Sequence, residues 1–568
     1  MLERWATLPA SFATADGERL SARAWVCLIL LCLAFFTPGF THISPTDRDE
    51  SSFAQASKQM VESGNYVNIY FQNHDRYRKP VGIYWLQALC ARLLLKPGHL
   101  NQIWAYRLPS LIGATVAVLM TAATGALLFG PAAGFLAAVM LAGCALLNVE
   151  ARLAITDGAL LACVAIGQYA LARAYLQQGV GRLGWGIPIA FWTALAAGIL
   201  IKGPIILLVA GATLLWLRIS DKNLKWFAGL RPWLGTAYAL LLTVPWFVAI
   251  ALASHGKFFE HAAIRDLLDK IWQGQDRGVM PPGLYVLVFP LAFFPFGLWP
   301  LLAIPDSWAN RREPGVRFCL GWIVPVWILF ELSLTKLPHY VLPLYPAIAL
   351  LAAKALGEGF PALAGRGWRW LPPVAVSAWL LAGTFYAVAL VLVPHFFGQG
   401  WNAGSIAAAT LLLIAQGAGL FLLLRRGEGS VLVMAAGGLI FFMSLFGSTL
   451  PRLPPLETSQ NIVVTAASIK PCPGPLQLSS AYVEPSLVFL AGTGTRLRPN
   501  SYNVARDLAV DPCRVGVVDL ADAGPFTQAV EKMPAKPRLV TRLRGFDLAR
   551  GGWHSVAFYL MPRKAGTP

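Results

Sequence analysis

The sequence is poor in charged residues and in metal-binding motifs. Only 13% of its 568 residues are Asp, Glu, Lys or Arg, whereas a soluble domain carries roughly a quarter. It contains no CxxC pair and no cluster of His and Cys at zinc spacing, which excludes the common structural zinc folds. No internal repeat or low-complexity tract is evident. A water-soluble domain is therefore the wrong starting expectation.

Apolar sequence is abundant instead. Hydrophobic residues make up 56% of the chain, and its mean hydropathy is +0.57. Apolar runs of roughly 17–25 residues, long enough to cross a bilayer, recur from Ala24 to Leu450, and this length rule predicts about thirteen spans. The first run, Trp25 to Phe40, is interpreted as a retained anchor helix because no small-residue cleavage site follows it. The pattern predicts a polytopic α-helical membrane protein.

The net charge of +18 is interpreted as topological. Basic residues gather in alternate short loops: Arg173 and Arg182, Arg218 to Arg231, Arg311 to Arg317, Lys354 to Arg369, and Arg425 with Arg426. The positive-inside bias places these loops in the cytoplasm. No nucleic-acid-binding module is recognisable, so no nucleic-acid partner is expected. The remaining loops and the tail after Leu450 are predicted to lie outside.

Two stretches of the chain are predicted to stand outside the membrane core. The outer loop 42–106 holds two amphipathic helices, Glu50 to Ser63 and Val81 to Leu95. They are expected in the membrane interface, with Tyr84, Trp85 and Trp104 at headgroup depth. Short apolar runs between Gly, Pro and Asp predict a small periplasmic α/β domain over 451–568. Residues 1–450, including this outer loop, are predicted to form the transmembrane domain.

The tail also contains two cysteines. Cys472 and Cys513 lie in an oxidising compartment if the topology is right. They can form a disulfide only if their Cα atoms approach.

Acidic residues open the first outer helix. Asp49 and Glu50 suit a helix N-terminus, where the dipole favours negative charge. The functional interpretation is that a carboxylate at the membrane surface acts as general base towards an acceptor hydroxyl. Both interpretations are open at this point.

Basic residues follow in the same loop. Arg76 to Pro80 is its densest cationic cluster, and outer basic charge runs against the topological bias. Arg78 and Lys79 are therefore candidates for holding a lipid phosphate, with ordinary headgroup contact as the alternative.

Other ionisable residues interrupt apolar spans on the outer side. Asp157 is a functional candidate because such positions are costly, although a structural pair with Arg152 would also explain it. Lys202 and Lys336 are lone cations where two spans meet, which makes them candidates for the same site. The alternative interpretation is that each lysine lies near a helix end and extends its ammonium towards water.

The second outer loop adds a pair at helical spacing. His261 and Arg265 are candidates for a phosphate contact, or form a solvated helix face. These residues together predict an outer pocket with cations for phosphate and carboxylates for acid–base work.

The order of these motifs resembles the aminoarabinose transferases that modify lipid A and, more distantly, the protein O-mannosyltransferases. The matching motifs are Asp49-Glu50, Lys79-Pro80 before Tyr84-Trp85, Arg152 with Thr156-Asp157, Lys202-Gly203, Lys336 to Tyr340 with Pro343, and Glu484-Pro485-Ser486. The resemblance implies the GT-C membrane fold. It also implies an inverting sugar transfer from a polyprenyl phosphate, without a nucleotide donor.

The resemblance further implies residue roles. Asp49 corresponds to the catalytic carboxylate and Asp157 to a second functional aspartate. Lys79 and Tyr340 match positions that contact the lipid phosphate, as does Arg265. Arg78, Lys202 and Lys336 are expected at the phosphate because of their charge and place in the chain, not because of the resemblance. Supporting positions are Glu50, His261, Arg152 and His339.

One position departs from the family pattern. Arg78 stands where the aminoarabinose transferases carry Glu before Lys-Pro. Either a metal ligand near His261 has been lost, so that a divalent metal is doubtful and no cofactor is required, or the site serves a different sugar, such as an acidic one.

The predicted function is transfer of a sugar from a polyprenyl-phosphate donor to lipid A or another envelope glycolipid. The predicted location is the bacterial inner membrane, with the active site on the periplasmic side, membrane lipids around it and a monomeric chain. Protein O-glycosylation, a glycan polymerase or ligase, and a lipid-linked-sugar flippase are the alternatives. A flippase calls for midplane charge and related halves, and neither is evident.

Overall fold

The computed structural model describes residues 12–14, 19–177, 183–260, 280–360, 368–425, 427, 429–548 and 550–562. Up to residue 444 the described chain is almost entirely helical. Its helices are α1 (Ala22–Phe36), α2 (Asp49–Ser63), α3 (Gly82–Leu94), α4 (Ile103–Phe129), α5 (Pro131–Ala142), α6 (Ala145–Glu150), α7 (Asp157–Leu176), α8 (Gly186–Lys202), α9 (Ile205–Asp221), α10 (Pro232–Ala253), α11 (Lys257–Phe259), α12 (Leu284–Ala292), α13 (Leu298–Ala309), α14 (Pro314–Leu332), α15 (Tyr345–Gly357), α16 (Leu371–Pro394), α17 (Ala403–Leu424) and α18 (Gly429–Ser444). One apolar core cluster extends over the membrane helices.

Eight helices among the described residues are long and apolar enough to cross a membrane. They are Ile103–Phe129, Asp157–Leu176, Pro232–Ala253, Pro314–Leu332, Pro338–Gly357, Leu371–Gly398, Ala403–Leu424 and Gly429–Arg452. Three shorter apolar helices accompany them: Ala22–Phe36, Pro131–Ala142 and Gly186–Lys202. The chain is a polytopic membrane protein, and the count of about thirteen spans stays a prediction.

The first outer loop contains the two predicted amphipathic helices, displaced by no more than one residue at each end. Between α2 and α3 lies a small antiparallel hairpin, β1 (Tyr70–Phe71) and β2 (His74–Asp75). The ring centroids of Phe53 and Tyr84, one from each helix, are 5.3 Å apart. Tyr84 has no exposed surface. Its side chain is covered by α2, and its place at headgroup depth stays a prediction.

The tail after the last span folds around a mixed five-stranded sheet. Its helices and strands are α19 (Thr458–Ile469), β3 (Leu478–Ser480), α20 (Pro485–Ala491), β4 (Arg496–Leu497), α21 (Ser501–Val510), β5 (Val515–Asp519), α22 (Ala523–Glu531), β6 (Arg538–Asp547) and β7 (Gly552–Leu560). The strand order is β4-β3-β5-β7-β6. The β3 strand is parallel to β4 and β5, while β7 is antiparallel to β5 and β6. Cys472 and Cys513 form a disulfide across a Cα separation of 5.2 Å.

The tail packs on the first outer loop. The rings of Phe489 in α20 and Tyr106 in α4 are 5.4 Å apart. The ammonium of Lys58, in α2, donates a 3.1 Å hydrogen bond to the carbonyl of Phe489. Gln55 donates to the hydroxyl of Thr493 at 2.9 Å. The tail and α2 therefore lie on one side of the helical bundle.

A separate ionic group marks the opposite end of the helices. Arg317 is paired with Asp221, which also accepts a 2.7 Å hydrogen bond from the Tyr175 hydroxyl. Tyr175 lies near the end of α7, and Asp157 begins it. Twenty helical residues rise by about 30 Å, so these polar groups are separated by roughly the thickness of a bilayer core.

Candidate active site

Asp49 lies exposed at the first position of α2. The preceding residue, Arg48, has φ of 67°, a conformation that non-glycine residues adopt only at a cost and that clusters at functional sites. Asp47 and Arg48 form a turn, and helix α2 begins directly after it. The Asp49 carboxylate consequently stands at the N-terminal end of α2, where the helix dipole favours negative charge.

Glu50, the next residue, is buried and anchors this turn. Its carboxylate pairs with Arg107 of α4 through hydrogen bonds of 2.7 and 3.1 Å. It also accepts the backbone N–H and hydroxyl of Thr46, at 2.8 and 2.9 Å, and the backbone N–H of Ala154, at 3.0 Å. Glu50 therefore locks the start of α2 to α4 and to the segment that precedes Asp157.

Asp157 begins α7 and is almost completely buried. Its Oδ1 accepts a 2.6 Å hydrogen bond from Lys202, the last residue of α8, and its Oδ2 accepts a 3.0 Å bond from Thr156. The Lys202 ammonium lies 5.8 Å from the ring centroid of Tyr340. Three separate segments are thus joined around one buried carboxylate.

Arg152 is not the partner of Asp157. Its guanidinium donates to the backbone carbonyls of Phe35, Pro38 and Asn148 and lies 4.0 Å from the ring centroid of Phe446. The structural pair considered as an alternative for Asp157 is therefore replaced by the pair with Lys202. Arg152 instead holds the end of α1 against the site.

Glu150 adds a third carboxylate. Its Oε1 is 3.7 Å from Nδ1 of His339. Burial, followed by the negative charge of Asp157, raises the pKa of Glu150 well above its usual value, and the charge of Asp49 acts in the same direction. Acidic groups from α2, α6 and α7 are therefore near enough to influence one another.

The basic loop lies beside these carboxylates. Burial raises the pKa of the Tyr84 hydroxyl, and among the nearby charges Arg76 and Arg78 lower this pKa whereas Asp49 raises it. The charges of Asp49 and Lys79 are also near enough to His339 to influence it. Arg78 is exposed, whereas Lys79 is half-buried. The structure thus brings Lys79 and Arg78 to the same end of the bundle as Asp49, Asp157, Lys202, His339 and Tyr340.

Three predicted positions are not shown to contribute to the site. The Lys336 ammonium is buried and donates to the carbonyls of Met280 and Ser333, at 2.8 and 2.6 Å, so it caps the backbone after α14. His261 and Arg265 lie outside the described residues. Within the described ranges, no group of three or more His, Cys, Asp and Glu side chains is arranged to hold a metal ion.

Three residues of the site were not predicted from the sequence. Arg107 and Glu150 each had a signal, a single charge beside an apolar stretch, which is costly and often functional. Their partners are distant in the chain, so the pairing was not visible. The burial of Tyr84 was not predicted, because an amphipathic pattern does not show which neighbouring helix covers a side chain.

The fold and this site together define a membrane protein whose acidic and basic side chains meet at one end of the helical bundle, below a folded tail. Residues 78–248 match the family model described as dolichyl-phosphate-mannose-protein mannosyltransferase. This stretch includes Lys79, Asp157 and Lys202.

Relatives of the chain carry one recurrent name. The undecaprenyl phosphate-alpha-4-amino-4-deoxy-L-arabinose arabinosyl transferase 2 of Pseudomonas fluorescens is 28% identical over 61% of this chain and 62% of its own length. The arabinosyl transferase of Pectobacterium carotovorum is 24% identical over 76% of each chain. The chain thus spans less than two thirds of the Pseudomonas relative.

Solved structures share the fold. ArnT from Cupriavidus metallidurans, bound to undecaprenyl phosphate, superposes with a TM-score of 0.73 over 94% of this chain and 98% of that one, at 18% identity. The Archaeoglobus fulgidus oligosaccharyltransferase in the apo form gives 0.53 at 11% identity, over 88% and 69%. The predicted resemblance to the aminoarabinose transferases is therefore confirmed.

Proposed function

We propose that this protein transfers a sugar from a polyprenyl phosphate to lipid A or another envelope glycolipid, at the periplasmic face of the bacterial inner membrane. The convergence of Asp49, Asp157 and Lys202 at one end of the helices carries the proposal. The names of the relatives, and the undecaprenyl phosphate in the ArnT structure, support the donor class.

The leaving group determines what the cations do. Transfer breaks the bond between the anomeric carbon and the phosphate oxygen, and negative charge builds up on that oxygen. Fixed cations that meet this charge lower the barrier. Lys79 and the Lys202–Tyr340 contact would meet the phosphate, while the prenyl chain lies against apolar helices.

The carboxylates act on the acceptor. Asp49 would take the proton of the acceptor hydroxyl as the new bond to the anomeric carbon forms. Attack from the face opposite the phosphate inverts the anomeric centre. Asp157 would hold Lys202 in place, and Glu50 would hold the Asp49 turn.

Reconstitution tests this proposal. The purified chain is placed in liposomes with an undecaprenyl-phosphate sugar and lipid A, and the products are followed by mass spectrometry. Asp49→Asn should reduce transfer by at least about a hundredfold and leave donor binding unchanged, whereas Glu531→Gln, an exposed carboxyl of α22, should leave transfer intact. A wild-type protein that moves the lipid across the bilayer but forms no new glycosidic bond would be a flippase.

Protein O-glycosylation is a second candidate, because the matched family model is described as a protein mannosyltransferase. Offering serine-rich and threonine-rich peptides beside lipid A in the same liposomes separates the two. Sugar on peptide alone would replace the glycolipid acceptor while preserving the donor chemistry. Oligomeric state and metal requirement stay predictions.

A further inference from the structure

Arg76 is a buried cation that none of the proposed roles uses. Its side chain is only 8% exposed. Its Nη1 atom has no hydrogen-bond partner in the described part of the chain. Leaving a buried donor of a charged group unsatisfied is costly, so such a group at a binding site is expected to meet a ligand.

The position of Arg76 relates it to the chemistry. Its guanidinium carbon lies 4.7 Å from the ring centroid of Phe53. Phe53 follows Asp49 by four residues, hence lies one helical turn away on the same face of α2, about 6 Å along the helix. Arg76 is therefore close to where the acceptor hydroxyl would be activated.

A second buried donor stands beside it. The Tyr84 hydroxyl is fully buried and has no hydrogen-bond partner among the described residues. Burial raises the pKa of this hydroxyl, while the nearby charge of Arg76 lowers the pKa and that of Asp49 raises it. Two unsatisfied donors thus lie next to the Phe53 ring, between the basic loop and the start of α2.

Two buried carboxylates near the site are already paired with other cations. Glu50 is paired with Arg107, and Asp157 with Lys202. With Lys79 assigned to the single charge of the lipid phosphate, Arg76 still lacks an anionic partner from the described residues. We assign this missing partner to an anionic group of the substrate.

We propose that Arg76, with Tyr84, binds a second anionic group on the donor, and that this group is the carboxylate of an acidic sugar of the uronic type. The inference rests on the proposed function, since it names the sugar class of that donor. A planar guanidinium binds a carboxylate through two parallel hydrogen bonds, and the Tyr84 hydroxyl supplies a further donor.

An acidic donor sugar would distinguish this chain from the relatives named for a 4-amino sugar. A 4-amino sugar carries a positive charge at neutral pH, and a buried guanidinium would repel it. The same anionic chemistry has one other source, the second phosphate of a polyprenyl diphosphate. The two sources are distinguished by the choice of donor.

The experiment measures donor binding to the purified full-length protein in detergent. The probes are undecaprenyl-phosphate glucuronic acid, undecaprenyl-phosphate glucose and undecaprenyl-diphosphate glucose, which differ only in the anionic group. The wild type should bind the glucuronic donor at least about tenfold more tightly than either glucose donor. Arg76→Gln should weaken glucuronic donor binding by about ten- to a hundredfold and change phosphate-glucose binding less than twofold.

Matched variants control for folding and for general charge. Arg76→Lys keeps the positive charge but loses the planar pair of N–H donors, so the glucuronic donor should be bound with intermediate affinity. Arg92→Gln removes an exposed cation of α3 and should change no affinity.

Equal binding of the glucuronic and glucose monophosphate donors, or equal weakening of both by Arg76→Gln, would overturn the inference and leave the proposed function standing. Tighter binding of the diphosphate donor, sensitive to Arg76→Gln, would overturn the sugar assignment in favour of a second phosphate. A wild type that binds none of the three lipids would overturn the inference, and the proposed function would be contradicted only if the liposome assay also gave no transfer.

Discussion

Lys202 and Asp157 form a 2.6 Å ion pair that joins the end of α8 to the start of α7. The side chains are 12% and 6% exposed, so solvent screens the pair little. Helix α8 ends at this lysine because Gly203 follows with φ of 67° and Pro204 comes next. The pair therefore fixes a cation at the mouth of the candidate site while balancing its charge.

Removing one member of this pair should cost more than removing both. Asp157→Asn or Lys202→Gln alone leaves an uncompensated buried charge, which typically costs 3–5 kcal/mol. We expect the double variant to be more stable than the sum of the single losses implies, by about 1–3 kcal/mol. Denaturant unfolding in detergent measures this.

Transfer assays should behave differently. All three variants should be nearly inactive if Lys202 meets the phosphate, because recovered stability does not restore that contact. A double variant with wild-type transfer would show that the pair is structural only.

The clamp between Glu50 and Arg107 leads to a second prediction. Glu50→Gln keeps the shape but leaves the Arg107 guanidinium without its carboxylate, and the free energy of unfolding should fall by about 3–5 kcal/mol. Asp49→Asn, at an exposed neighbour, should change stability by less than about 0.5 kcal/mol. Thermal unfolding of the two variants in the same detergent provides the comparison. Equal stability of both variants would mean that the clamp does not hold the Asp49 turn.

Local patterns predicted some parts of the site and not others. The helical spacing of apolar residues correctly located α2 and α3, because that pattern depends only on near neighbours. The placement of Asp157 at the beginning of an apolar run marked it as a candidate, because charge there is costly. Its partner Lys202 was named separately, but nothing local indicated that the two would pair.

Long-range contacts explain what was missed. Arg107 lies 57 residues from Glu50, and Lys58 meets a carbonyl of the tail 431 residues away. Nothing in the segment around Tyr84 shows that α2 covers its side chain. Such contacts depend on how elements are arranged in space, which periodicity and spacing do not encode.

The seam between the tail and the first outer loop contains a cluster of carboxylates. The hydroxyl of Ser486 donates a hydrogen bond to the carboxylate of Asp47. The Nε atom of Arg550 lies 3.3 Å from Oε1 of Glu484 and 3.5 Å from Oδ2 of Asp547. Burial and the neighbouring charge of Asp47 raise the pKa of Glu484 to about 7. Burial, then the charge of Asp547, raises the pKa of Asp47 to about 6.

Raised carboxyl pKa values make the docking of the tail depend on pH in a defined direction. Free carboxyls have a pKa of about 4, so between about pH 4.5 and 7 the docked state holds protons that the separated state has lost. The docked state is therefore favoured at the acidic end and loses stability as pH rises towards 7. Amide hydrogen exchange of 485–495 should be slower at pH 5.5 than at pH 7.5, after correction for intrinsic rates.

A variant without the titrating group is the control. Glu484→Gln keeps the geometry without the titration and should reduce the difference in exchange between the two pH values, with Asp47 providing the remainder. Equal protection of the wild type at both pH values would show that these carboxyls do not control docking, and an undiminished difference in Glu484→Gln would assign the effect to another group.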